Sequence, residues 1–383
     1  MKKTLALLLV LAMIFTLFAA CNSSTATPTD SPTQTAAPTA TAAAVPTNTP
    51  DAATPEPQAT TQSFTDSVGR TVELPASITK ISPSGALAQM FLLAIAPDLL
   101  CTVASKYSDN NLKYVPSYLN DLPEVGQFYG SDDLNFESIA AINPEVVIDL
   151  GEPKKTIVED MDSITEKLAI PAVHITADLR GTADAFRTLG KLLGREAKGE
   201  ELAAFCEKAL ASSDDYITRA GDGKPTILYL LGDAGLNVLA KTSFHAEILD
   251  FVADNIAVVD EPSSRGSGNE TDLEQISIWN PEVILFGPGS VYSTVAADPT
   301  WSQLDAIKNG RYYEVPEGPY NWMGSPPSIN RYLGMIWLTQ ILYGDSASVA
   351  LLKSEVVEYY NLFYGHTLTD AEYSALTANA LPK

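Results

Sequence analysis

Residues 143–151 read NPEVVIDLG, and residues 280–289 read NPEVILFGPG. The two phrases begin 137 residues apart. The likeness runs upstream, because Phe136-Glu137-Ser138-Ile139 precedes the first copy at the offset at which Leu273-Glu274-Gln275-Ile276 precedes the second. Both copies read as one structural unit. A short helix comes first, over residues 135–142 in the first copy. Asn-Pro then breaks it, since proline lacks an amide hydrogen and restricts the residue before it. An apolar run follows, Val146 to Leu150, with the length and content of a buried strand. A helix–strand unit written twice implies a chain built from two like halves.

Working outward from the first copy, FTDSVGRTVELP (64–75) alternates and turns like a hairpin. A strand to Ile81, a turn over Ser82-Pro83-Ser84-Gly85 and an apolar helix from Ala86 come next. LLCTVASKYSD (99–109) reads as a strand, and IPAVHITA (170–177) as another. Strands alternating with helices indicate a mostly parallel sheet. From Thr182 to Arg219 the strand signal disappears. Gly194 divides two helices there, and the second, 196–220, would be about 37 Å long at 1.5 Å per residue. Gly221-Asp222-Gly223 and Pro225 stop it. The alternation resumes with PTILYLLG (225–232), a helix over AEILDFVAD, the second copy, and WSQLDAIKNGRYYEVP as helix, turn and strand. SPPSINRYLGMIWLTQILYG closes with a long amphipathic helix. The predicted fold is α/β, with two similar lobes of mostly parallel sheet joined by one long spanning helix. The lobes take residues 63–195 and 221–383.

The N-terminus carries different information. Met1-Lys2-Lys3 and the apolar run from Thr4 to Ala20 form a secretory signal, 1–20. The run ends Leu17-Phe18-Ala19-Ala20-Cys21, which resembles a bacterial lipobox with Phe where leucine is usual. Cys21 is therefore expected to carry lipid, and several acyl chains at roughly 0.8 kcal/mol per buried methylene would anchor the chain. Residues 21–62 are the lipidated cysteine and a Thr/Ala/Pro/Ser tether, too poor in apolar side chains to offset the entropy of ordering. As a coil of about 40 residues it would span roughly 35 Å. The expected location is outside the cytoplasm, on the membrane surface.

The formal charge is −23, and loss of the leader removes two lysines and no acid. This argues against nucleic acid and against adhesion to anionic headgroups. Cys101 and Cys206 sit in apolar contexts and read as free thiols. The three histidines, His174, His245 and His366, are scattered, and no resident metal or cofactor is expected. No metalloprotease, nucleophile-elbow, P-loop or dinucleotide motif occurs, so an enzyme is not expected and no catalytic residue is assigned.

Taken in order, FTDSVGRTVELP, ISPSGALAQMFLLA, FESIAAINPEVVI, LEQISIWNPEVIL, WSQLDAIKNGRYYEVP and PPSINRYLGMIWLTQILYG resemble the substrate-binding lipoproteins of ABC importers for iron complexes (siderophore or haem) and cobalamin. The resemblance covers residues 64–344. It implies a monomeric receptor with a rigid helix between its lobes, which captures a small-molecule metal chelate or corrinoid and delivers it to a permease dimer. A metal-oxyanion receptor of the same fold is the alternative, and a ligand-sensing or adhesive surface lipoprotein is the rival from another class. The resemblance also implies that Glu137 and Glu274, one per lobe, meet arginines on the permease. Arg–carboxylate pairs suit this, being bidentate and directional. Ligand would lie in the interlobe cleft, on loops after the strands. Ser84, Tyr107, Tyr129, Arg265, Tyr292, Tyr320 and Trp322 are the candidate contacts. The aromatic ones offer flat apolar area with a polar handle, and Arg265 offers a charge for an anionic group.

Overall fold

A computed structural model describes residues 60–221 and 223–382 of the chain. The leader, Cys21 and the tether up to residue 59 lie outside them. The first half holds the hairpin β1 (Thr61–Thr65) and β2 (Thr71–Pro75), then β3 (Ile81–Pro83), α1 (Ala86–Ile95), α2 (Asp109–Leu112), α3 (Phe136–Ile142), β4 (Val146–Gly151), α4 (Ile157–Leu168) and β5 (Ala172–Thr176). Two helices follow, α5 (Thr182–Leu193) and α6 (Glu196–Ala220). The second half holds β6 (Thr226–Leu231), β7 (Asn237–Val238), α7 (Glu247–Val252), β8 (Asp254–Asn255), β9 (Asn269–Glu270), α8 (Leu273–Trp279), β10 (Val283–Phe286), α9 (Asp305–Lys308) and β11 (Tyr312–Glu314). The chain ends with α10 (Arg331–Tyr343), α11 (Ser346–Tyr364) and α12 (Asp370–Leu376). Among the described residues no helix is long and apolar enough to cross a membrane.

The first lobe's sheet is parallel, in the order β3-β4-β5. The second runs β11-β10-β6-β7-β9, with β8 also on β6; the pairings β10–β11, β6–β10 and β6–β8 are parallel, and β6–β7 and β7–β9 are antiparallel. The two repeated strands are central, and strand geometry turns alternate side chains to opposite faces. Val146, Ile148 and Leu150 of β4 therefore join the main core, while Val147 joins a satellite core under α3 and α4. In β10, Val283 and Leu285 join that same main core, and Ile284 and Phe286 join the second lobe's own cluster. One core thus passes through both lobes.

Each copy of the repeat is capped alike. The Asn135 side chain accepts the Ser138 amide, and Asp272 accepts that of Gln275. Asn143 and Asn280 both end their helices in the left-handed region, at φ 54° and 39°, a conformation asparagine tolerates better than most residues.

Several expectations need correction. Strand β1 starts at Thr61, so Thr61 and Gln62 belong to a paired hairpin and not to the tether. The run 99–109 is no strand. It makes only isolated bridges, Ile81 to Leu100 and Val103 to Glu124, because the Gln89 side chain takes the amides of Ala104 and Ser105 at 2.6 and 3.2 Å. Helix α10 is not amphipathic, since every residue from Arg331 to Gln340 is buried. The tail also departs from a simple C-terminal lobe: Phe363 of α11 packs on Phe186 of α5 and Phe205 of α6.

Candidate functional site

A cavity of about 840 Å³ opens where the ends of β3 and β4 face the second lobe. Ser84, Gln127, Tyr129, Asp149 and Lys154 line it from the first lobe. Phe244, His245, Arg265 and Pro326 line it from the second.

The floor is a polar row across the first sheet. The Ser84 hydroxyl donates to Asp149, and the other Asp149 oxygen pairs with His174 Nδ1 at 2.7 Å. Asp149 and His174 are register partners on β4 and β5, so the sheet itself sets this contact. His174 Nε2 then meets Thr176 Oγ1 at 3.2 Å. The order is hydroxyl, carboxylate, imidazole. A nucleophilic serine needs its hydroxyl on the imidazole, with the carboxylate behind; here the carboxylate stands between the two. Gly85 lets the wall approach the floor: a Cβ there would lie 3.1 Å from Gln127 Cβ, and the Phe128 amide donates to the Ser84 carbonyl at 2.8 Å.

Tyr129 is half-buried on the first wall. Its hydroxyl donates to Asp160 at 2.7 Å, and Phe128 packs edge-on at 5.0 Å. Burial, with Asp160 as acceptor, pushes the phenol well above its ordinary value, so it stays protonated. On the second wall, Phe244 and His245 sit on a one-turn 3₁₀ helix capped by Ser243. Burial pulls His245 below its usual pKa, with the Gly324 and Ser264 carbonyls acting the other way. Lys154 is paired with Glu152 at 3.0 Å, both exposed. Arg265 is exposed, and among the described residues its guanidinium has no hydrogen bond or ion pair. The cleft therefore offers aromatic walls, hydroxyl groups and one unengaged cation. Among the described residues no three His, Cys, Asp or Glu side chains converge as a metal-ligand set.

Ser84, Tyr129 and Arg265 are thus brought together by the fold. The other four candidates lie elsewhere. Tyr107 and Tyr320 are hydrogen-bonded to each other at 2.5 Å, with Tyr107 buried and also bonded by Gln89. Trp322 is fully buried, and Tyr292 packs with Phe286 and Tyr312 in the second lobe's cluster. Each ring places its apolar area in the core. Asp149 and Phe244 escaped the sequence reading. The acid inside the apolar run VVIDLG was the available signal for Asp149, whereas Phe244 is placed by long-range packing and carries no local signal.

Glu137 and Glu274 are the second residues of α3 and α8, exposed, and free of ion pairs among the described residues.

Comparison with known proteins fits this geometry. The chain is 24% identical over 184 residues to the Fe(3+)-citrate-binding protein YfmC of Bacillus subtilis, covering 47% of this chain and 56% of that protein. It is 22% identical over 214 residues to the putative ABC transporter substrate-binding lipoprotein YhfQ of the same organism, covering 52% and 64%. Both alignments span less than two thirds of those relatives. An ABC transporter solute-binding protein from Sulfurospirillum deleyianum superposes with a TM-score of 0.75 at 27% identity, over 82% of this chain and 99% of that one. The sequence profile of the periplasmic binding proteins matches residues 84–319. A two-lobed α/β chain with a lined interlobe cleft and that match belongs to the periplasmic binding protein family.

Proposed function

We propose that this chain is the extracytoplasmic receptor of an ABC importer. It captures an anionic metal chelate in the interlobe cleft and presents it to the permease through Glu137 and Glu274. The observation that carries the ligand class is Arg265, an unengaged guanidinium on the wall of a cavity that also offers Tyr129 and Phe244. An organic chelate uses all three. The cavity, about 840 Å³, lies in the range of sites for molecules of drug size, which favours a chelate over a bare oxyanion. Since the described residues bring no metal-ligand set together, the metal is best understood as cargo that arrives with its own ligands. The similarity to an Fe(3+)-citrate-binding protein supports an iron–carboxylate complex, with siderophore, haem and corrinoid as neighbouring classes. Lipid on Cys21 would hold the receptor at the membrane, and the similarity to a lipoprotein supports that anchor.

The test is a fluorescence titration with ferric citrate, a ferric siderophore, haem, cobalamin and molybdate. Saturable binding of one chelate is expected. Arg265→Ala should weaken binding of an anionic chelate about 10-fold, the scale of one charge-assisted hydrogen bond. Binding of molybdate alone would replace the chelate reading with the oxyanion one.

A further inference from the structure

Phe244 lines the cleft, and the guanidinium carbon of Arg331 lies 4.9 Å from its ring centroid. Arg331 is 1% exposed and is not part of the cleft lining, so it backs the ring from inside the protein. Its Nε donates to the Ser328 carbonyl at 3.2 Å, and Nη1 is paired with Glu247. The other Glu247 oxygen accepts the Leu179 amide at 3.1 Å. Leu179 belongs to the first lobe, between β5 and α5. Its carbonyl accepts the hydroxyl of Tyr332, the residue after Arg331, at 2.6 Å. Side chains of the second lobe thus hold both peptide groups of one first-lobe residue, and the same network carries the cleft ring.

A buried arginine paired with a half-buried carboxylate is weak evidence of a stability role, because apolar replacements often do as well. Its geometry gives it another use here. We infer that Arg331 is a positioning residue for ligand binding: it fixes Phe244 as a contact ring on the cleft wall and, through Glu247, ties that wall to the first lobe at Leu179. This rests on the receptor reading above. The guanidinium suits the arrangement, since it is planar and can lie over a ring while its edge bonds both a carboxylate and a carbonyl.

The test is a double-mutant cycle on the full chain in detergent, with ferric citrate as the probe. Arg331→Lys keeps a positive charge for Glu247 but gives up the flat guanidinium over the ring and the Nε bond to the Ser328 carbonyl. It should melt near the parent yet bind about 5- to 10-fold more weakly, on the scale of a desolvated cation–π contact. Phe244→Ala should weaken binding similarly, and the double variant should bind no worse than Phe244→Ala alone. Additive losses, or parental binding by Arg331→Lys, would overturn the inference. A second measurement needs no ligand. With Phe244→Trp as a reporter, adding Arg331→Lys should raise acrylamide quenching of the introduced indole about twofold, and unchanged quenching overturns the positioning role. If the parent chain binds no ferric citrate, the receptor reading fails for that chelate, and quenching alone decides the positioning.

Discussion

One oxygen of Glu145 accepts the Thr79 amide at 2.5 Å, the Lys80 amide at 2.9 Å and the Thr79 hydroxyl at 3.1 Å. Its counterpart Glu282 accepts the Thr226 amide at 2.8 Å, and its own amide donates to Thr226 Oγ1 at 3.0 Å. The recurring Asn-Pro-Glu is therefore a structural clamp: asparagine ends the helix, proline leaves it, and glutamate catches amides where the neighbouring parallel strand begins. The sequence exposes the helix break but not the clamp, because the partners of Glu145 lie 65 and 66 residues away. The same limit applies at the cleft. Ser84, Tyr129 and Arg265 follow from loop position and side-chain chemistry, whereas Tyr107 and Tyr320 find each other across 213 residues and leave the candidate site. For Glu145, burial acts to raise the pKa, but the hydrogen bonds from Thr79 and Lys80 outweigh it and the net shift is downward. A depressed carboxylate adds stability above its unfolded value, about 4.3, and loses it as pH falls through the lower folded value. Glu145→Ala should therefore cost about 1 kcal/mol at pH 7. The gap from the parent should close as pH drops below about 4, measured by urea unfolding at each pH.

Helices α5 and α6 cross where glycine meets glycine. A Cβ on Gly199 would lie 2.6 Å from the Phe186 carbonyl oxygen and 3.1 Å from Gly190 Cα. In an exposed helix interior, alanine in place of glycine gains about 1 kcal/mol. Here the backbone carbonyl cannot move aside cheaply, so the sign should reverse. Gly199→Ala should destabilise by about 1–3 kcal/mol, and a gain in denaturant midpoint would show that the crossing relaxes freely. The bounds of α6 were legible because an uninterrupted helical pattern ends at Gly221 and Gly223 near Pro225. Its crossing was not, because a mid-helix glycine shows nothing of what it faces. The run 99–109 failed for a related reason: its apolar residues resemble a strand, but a strand needs a partner, and Gln89 occupies the amides that a partner would use. Helix α10 misled the reading because scattered polar residues suggest a wet face. Arg331, Thr339 and Gln340 are buried, and Gln340 is bonded to Glu355 of α11.

At the scale of the whole molecule, the repeat and the strand–helix alternation made the two lobes legible, while the tail did not follow from either. Helix α11 lies on α5 and α6, Lys208 of α6 pairs with Glu358 at 3.1 Å, and Asn379 bonds Glu314 of β11 at 2.7 Å. The tail thus joins the spine to the second sheet, and one hydrophobic core runs through both lobes. That continuity bears on the proposed docking. Two carboxylates can meet two permease subunits at once only if their separation is fixed, and the avidity gained depends on that geometry. Glu137 and Glu274 occupy equivalent positions on equivalent helices and have no ion pair among the described residues to give up. They lie outside the cleft lining, so chemistry at the docking face and at the ligand should separate. If the proposed docking holds, the double variant Glu137→Lys/Glu274→Lys should bind ligand within about twofold of the parent and lower uptake by cells at least about 10-fold, since like charges would then oppose the arginines proposed on the permease. Each single reversal should fall between, and raising ionic strength should narrow the differences, because exposed charges are screened. Normal uptake by the double variant would reduce both glutamates to solvated helix residues and place the docking surface elsewhere on the molecule.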